Sequence, residues 1–163
     1  MTDIETPSEI GFRLEDMVEA VLISIKKKGI IKGYKRYGNV HKPDFEVVDE
    51  DSIIPIGIEC KNWDPEKKTD INIHVTEIEI LPRFEGMEYK QKILLIPKLK
   101  FYSRDEDKCR ELLKDFAIIE IGSFITREMV ADDYNFDIIM VLERLERELI
   151  LTIKPEALAN DDW

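Results

Sequence analysis

The sequence predicts an α/β domain, and three patterns predict it. Apolar residues at helical spacing open the chain, alternating apolar and polar residues follow, and the two periods then take turns toward the C-terminus. The resulting order is a helix, three strands, a helix, a strand, a helix, a strand and a last helix, which describes one layered structure around a single core. No internal repeat or interdomain linker interrupts it, so residues 1–154 read as one domain and 155–163 as an acidic tail that need not be ordered.

Ser8 can cap a first helix that runs to about Lys28 and stops at Gly29. Leu14, Met17, Val18, Val21, Leu22 and Ile25 mark its buried face. Three short strands are expected at Ile31–Tyr37, Pro43–Asp49 and Ile53–Lys61, the last two joined by the polar turn Asp49-Glu-Asp-Ser. In Asp64–Met87, Ile71, Ile73 and Val75 alternate like a strand, whereas Val75, Ile78 and Leu81 suit a helix ending near Pro82, and the helix is favoured. Lys90–Leu99 holds a buried strand at Ile93–Ile96. Ser103-Arg-Asp-Glu106 has capping-box form and opens a helix to about Phe116, and Ala117–Ile121 is a further strand. An amphipathic helix covers roughly Phe136 to Leu151, with Ile138, Leu142, Leu145 and Leu149 along one stripe.

Composition narrows the function classes. At 163 residues, 44% apolar and 36% charged, the chain can bury a real core. Its longest apolar run, Ile53–Ile58, is too short to span a bilayer, so no membrane partner is expected. The first residues lack the basic start and apolar stretch of a signal peptide, and two cysteines without metal-ligand spacing fit a reducing cytoplasm. A single glutamine amid abundant Glu, Lys and Ile hints at a thermophilic source. The net charge of −11 argues against a protein that coats nucleic acid nonspecifically. Yet Ser24–Lys42 carries seven cations and no acid. That stripe reads either as a phosphate-attracting surface or as a solvated helix end and strand edge.

The informative segment is Pro43-Asp44-Phe45 followed by Ile58-Glu59-Cys60-Lys61. A four-residue turn at Glu50–Ile53 sets Phe45 against Ile58, Val47 against Ile56 and Asp49 against Ile54. Apolar side chains then meet on one face, while Asp44 falls opposite Glu59 and Glu46 opposite Gly57. A slip of one residue would scramble that segregation. Two opposed carboxylates repel unless a positive charge lies between them, and a hard divalent cation such as Mg²⁺ or Mn²⁺ meets the need through carboxylate and carbonyl oxygen. Lys61, two residues from Glu59 on the same strand face, can approach a metal-bound water or a phosphate. These are the parts of metal-assisted phosphodiester hydrolysis.

In this form, Pro-Asp, fifteen positions, then Glu-Cys-Lys, the motif resembles the PD-(D/E)xK pattern of the restriction-endonuclease-like superfamily. The string Glu59-Cys-Lys-Asn-Trp63 looks like that of Mrr-type restriction endonucleases. The wider layout resembles archaeal Holliday-junction resolvases, and the likeness covers roughly Gly11 to Trp63. The resemblance implies a restriction-endonuclease-like core with a central mixed sheet flanked by helices. It also implies that Asp44 and Glu59 bind Mg²⁺ or Mn²⁺, and that Lys61 assists the water. Cys60 joins the expected metal set, and because members often add an acid from the first helix, so does Glu15. Glu19 would point more to solvent.

The expected DNA-facing residues are Lys32, Lys35, Arg36, His41 and Lys42, with Tyr37 and Trp63 near enough to stack on a base, though a tryptophan in Trp63's place more often packs in the core. The stripe Ile138, Leu142, Leu145 and Leu149 could serve as a homodimer seam, though two heptads more often pack within a chain. The expectation is a Mg²⁺-dependent DNA endonuclease, with specificity drawn from loops, a dimer or a protein partner. The alternative is a catalytically idle nuclease-fold protein that binds nucleic acid or a partner.

Overall fold

The computed structural model describes residues 7–38, 41–49, 53–61, 70–96, 99–120 and 135–159. Helix α1 spans Pro7–Lys27, and strands β1 (Gly33–Arg36), β2 (Phe45–Val48) and β3 (Ile56–Cys60) follow it. A helical segment at Val75–Ile80 and Leu81–Phe84 leads to β4 (Gln91–Ile96), α2 (Glu106–Leu112), β5 (Phe116–Glu120), α3 (Asn135–Ile153) and α4 (Glu156–Ala159).

The strands form one mixed sheet in the order β1-β2-β3-β4-β5. The first three are antiparallel, and β3, β4 and β5 are parallel. On one face α1 and α3 cover Phe45, Val47, Ile56, Ile58, Ile93, Leu95 and Ile119. On the other, the helical segment and α2 cover Leu94, Ile96 and Phe116. The sheet is therefore buried on both sides, which is why β4 reads as an unbroken apolar run rather than an alternation. Among the described residues no helix is long and apolar enough to cross a membrane.

Helix α1 ends as its sequence dictates. Gly29 takes φ 74°, the Gly29 N–H donates to the Lys26 carbonyl at 3.0 Å, and the Ile30 N–H donates to the Ile25 carbonyl at 3.0 Å. This paired 5→2 and 6→1 pattern is a Schellman motif, and Ile30 and Ile25 both belong to the core beneath it. The hairpin pairs Phe45 with Ile58, Glu46 with Gly57 and Val47 with Ile56, the register that the alternation demands.

Other expectations change. The strands are shorter than their apolar runs, and Phe116 opens β5 instead of closing α2. Ser103 does not cap α2, which begins after Asp105, and no side chain caps its first turn. The segment before β4 is helical, but the face differs: Val75, Ile80 and Phe84 are buried while Ile78 is 61% exposed. Val75–Ile80 is wound as a π-helix, whose i→i+5 spacing brings Ile80 rather than Ile78 under Val75. Pro82 does not stop the segment, because it lies in the first turn of a 3₁₀ helix, where a missing N–H costs nothing. Residues 156–159, expected in a tail, form α4, and Ala157 and Leu158 pack against the core. Leu145 and Leu149 of the expected dimer seam are buried within the chain, in the core that α3 shares with α1, and so are not available to a second copy. Trp63 and Ile121 lie outside the described residues, as does the Ile138 side chain.

Candidate active site

The acids converge where β2 begins and β3 ends. The Asp44 N–H donates to Glu59 Oε1 at 3.1 Å, and the Cys60 N–H donates to Asp44 Oδ2 at 2.8 Å. The hairpin thus closes with two reciprocal side-chain-to-backbone bonds, and both carboxyl groups are buried. An extended residue points its N–H and C=O the same way, so the Cys60 carbonyl also opens toward Asp44. The Cys60 thiol lies on the opposite face, in the core with α1, and burial, then the charges of Asp44, Glu59 and Glu15, push its pKa well up. If Cys60 contributes a metal ligand, it is through main-chain oxygen.

From α1, Glu15 faces Asp44 closely enough for each acid to shift the other's pKa. Burial, then the Asp44 contact, raises Glu15 to about 7, against the pull of Arg36. Burial, then the Glu59 charge, raises Asp44 to about 6 despite the Cys60 N–H. The cation on this side, Arg36, is shared among Glu15, Asp16 and Glu19 and leaves Asp44 without an ion pair among the described residues.

Glu59 is in the opposite condition. It is 1% exposed, and Lys61 Nζ at 3.1 Å and Arg83 Nε at 3.0 Å both meet its Oε2. Burial still raises its pKa, with Lys61 and Arg83 opposing. Arg83 escaped the sequence reading, because nothing local ties a residue of the 3₁₀ turn to a strand acid far earlier in the chain. Gly57 is the nearest signal. A Cβ there would lie 2.7 Å from Phe84 Cε1, so the missing side chain is what lets the turn lie against β3.

The basic stripe divides. Arg36 is held under α1 by Glu15 at 3.2 Å, Asp16 at 2.8 Å and Glu19 at 3.0 Å. Glu19 is not merely solvated, since it also accepts from the Tyr34 hydroxyl at 3.1 Å. Lys42 lies 3.7 Å from Glu46 and 4.6 Å from the Tyr37 ring centre. Tyr37 and Tyr89 both donate to the buried Glu46, at 2.8 and 2.6 Å, and burial, then the Glu46 bond, pushes the Tyr37 hydroxyl up to about 12. Tyr37 is thus oriented by Glu46. His41 is exposed in the turn before Asp44. Lys32 and Lys35 carry no ion pair among the described residues, and they flank a groove of about 400 Å³ that also exposes Ile53 and Met87.

Among the described residues no group of three or more His, Cys, Asp or Glu is placed to hold a metal ion. Mg²⁺ does not require one, since it keeps several waters and is commonly held by one or two carboxylates with substrate phosphate. Asp44, Glu59 and the Cys60 carbonyl are hard oxygen donors, and the charge deficit around Asp44 and Glu15 is the kind a cation relieves. The donor chemistry fits. Comparison with protein-family models, curated proteins and solved structures returns no match for this chain.

Proposed function

We propose that the chain is a Mg²⁺- or Mn²⁺-dependent endonuclease that hydrolyses DNA phosphodiester bonds at the Asp44–Glu59–Lys61 site. The observation that carries this reading is the joining of two opposed, buried carboxyl groups to an ammonium group 3.1 Å from one of them. Asp44 and Glu59 would hold the ion, with the Cys60 carbonyl beside them. Glu15 would contribute from α1 by its closeness to Asp44, not as a third ligand. When bound, the divalent ion supplies charge that polarises a phosphate and acidifies water. Lys61 orients the attacking water and offsets charge developing on phosphate oxygen. Lys32 and Lys35 steer the polyanion to this edge of an otherwise acidic molecule.

A second reading has its own support. Glu59 is already neutralised by two cations, the composition of a site that folds without metal and binds a partner instead. One experiment separates the two. The protein is incubated with linear, supercoiled, single-stranded and four-way-junction DNA in Mg²⁺ or Mn²⁺, alongside Lys61→Ala, while Mn²⁺ binding is titrated calorimetrically for the wild type, Asp44→Asn and Glu59→Gln. Cleavage lost in Lys61→Ala, with metal binding weakened in both acid variants, supports the nuclease. Absence of cleavage on all four substrates, with unchanged metal binding in both variants, leaves the idle reading.

A further inference from the structure

Glu59 has more positive charge around it than one carboxylate needs. Its Oε1 accepts from the Asp44 N–H, and its Oε2 receives both Lys61 and Arg83. Asp44, the other acid of the pair, accepts from the Cys60 N–H at 2.8 Å and meets no cation at ion-pair distance among the described residues. Cation and acid are thus unevenly distributed within one site, and the uneven member is Arg83.

The two cations on Oε2 are held differently. Lys61 continues β3, with its N–H bonded to the Leu95 carbonyl at 2.9 Å. Arg83 comes from a four-residue 3₁₀ turn, and its guanidinium has other acceptors at hand. Nε lies 3.3 Å from the Glu79 carbonyl and Nη1 3.5 Å from the Lys42 carbonyl. A fork of five donors can let go of one acceptor without being left unpaired, and the Arg83 side chain is 22% exposed, so water can complete the exchange. Arg83 is therefore the cation that can leave Glu59 at low cost.

We propose that Arg83 is a resident counter-cation, which holds Oε2 of Glu59 in the metal-free protein and yields it to a divalent ion. This rests on the reading of Asp44 and Glu59 as the metal pair. It makes Arg83 a positioning residue that sets the metal affinity of the site, with the backbone acceptors of Glu79 and Lys42 as its second seat.

The test is calorimetric titration of Mn²⁺ into the wild type, Arg83→Gln, Arg83→Lys and the Arg83→Gln/Glu59→Gln double variant. Each variant is first shown to unfold cooperatively in urea. Removing the competing charge should tighten Mn²⁺ binding by roughly tenfold or more. Arg83→Lys, which keeps the charge, should stay near the wild type, and the double variant should lose the gain. A merely structural role would weaken binding in Arg83→Gln or leave it unchanged, and either result overturns the proposal. The wild type gives an independent readout. The Arg83 side-chain N–H resonance should shift as Mg²⁺ is added, and a resonance that stays fixed also overturns it. Tightened Mn²⁺ binding with no DNA cleavage in any variant would uphold the counter-cation and reject the nuclease. Cleavage by the wild type with unchanged Mn²⁺ binding in Arg83→Gln would do the reverse.

Discussion

Gly57→Ala tests the packing that brings Arg83 to Glu59. The residue lies inside β3, opposite Glu46 on β2 and Lys92 on β4, in extended backbone that alanine adopts freely. The added Cβ would sit 2.7 Å from Phe84 Cε1, 3.1 Å from Phe84 Cδ1 and 3.1 Å from Tyr89 Cδ1. Ordinary carbon contacts begin near about 3.5 Å, so the ring must retreat by most of an ångström. It has nowhere to go. Phe84 is 4% exposed and packs edge-on against Tyr89 at 5.5 Å and Phe116 at 5.0 Å. Overpacking of this kind costs about 1–3 kcal/mol, and alanine regains about 0.5–1 kcal/mol over glycine in a strand interior. The middle of each range leaves a net loss of roughly 1 kcal/mol, read as a lower urea midpoint with unchanged slope. Phe84→Ala alone should cost about 3–5 kcal/mol, but in the Gly57→Ala background the clash is absent and the two costs should fall short of their sum. A Gly57→Ala protein as stable as the wild type, or additive costs in the cycle, would refute the reasoning.

The remaining expectations concern charge. Glu15 rises from 4.5 to about 7 and Asp44 from 3.8 to about 6, so between those values the folded protein holds protons that the unfolded chain has released. Metal-free stability should therefore fall as pH rises from about 4 to 7, by on the order of 2 kcal/mol once solvent screening at the partly exposed Glu15 and the coupling of the two acids are allowed for, and Glu15→Gln should flatten the slope. Urea unfolding at pH 5 and 7.5 decides this, and an equal slope in the variant would exclude Glu15 as the source. Lys61→Met should fold, bind metal at least as tightly as the wild type because a cation leaves Glu59, and lose cleavage by about a hundredfold or more. Single-turnover rates at saturating Mn²⁺ measure it, and near wild-type cleavage would remove Lys61 from the chemistry. Neutralising Lys32 and Lys35 together should lower the salt dependence of DNA binding by about two units of slope. Arg36→Gln should lower stability instead, because it leaves Glu15, Asp16 and Glu19 facing one another. Affinity at several salt concentrations separates the two, and an unchanged slope in the double variant would make the stripe a solvated edge.

What the sequence determined by itself was whatever depends on neighbours along the chain. The end of α1 follows from Gly29, the residue best suited to a left-handed cap. The hairpin register follows from alternation, because a one-residue slip inverts every side chain, and with the register comes the meeting of Asp44 and Glu59. Glu15 entered only through the family resemblance, and it stands one position past the buried Leu14. The tertiary structure alone decided how charges pair across elements. Arg36 alternates as a strand residue should, but only the docking of α1 turned its face from solvent toward three acids. Leu145 and Leu149 form a stripe that suits either a second chain or α1, and packing chose α1. Arg83 was out of reach altogether. Its place depends on π winding at Val75–Ile80, the 3₁₀ turn at Pro82 and the absence of a side chain at Gly57. None of these leaves a periodic signal, because hydrophobic periodicity reports the regular elements and is silent where the winding changes.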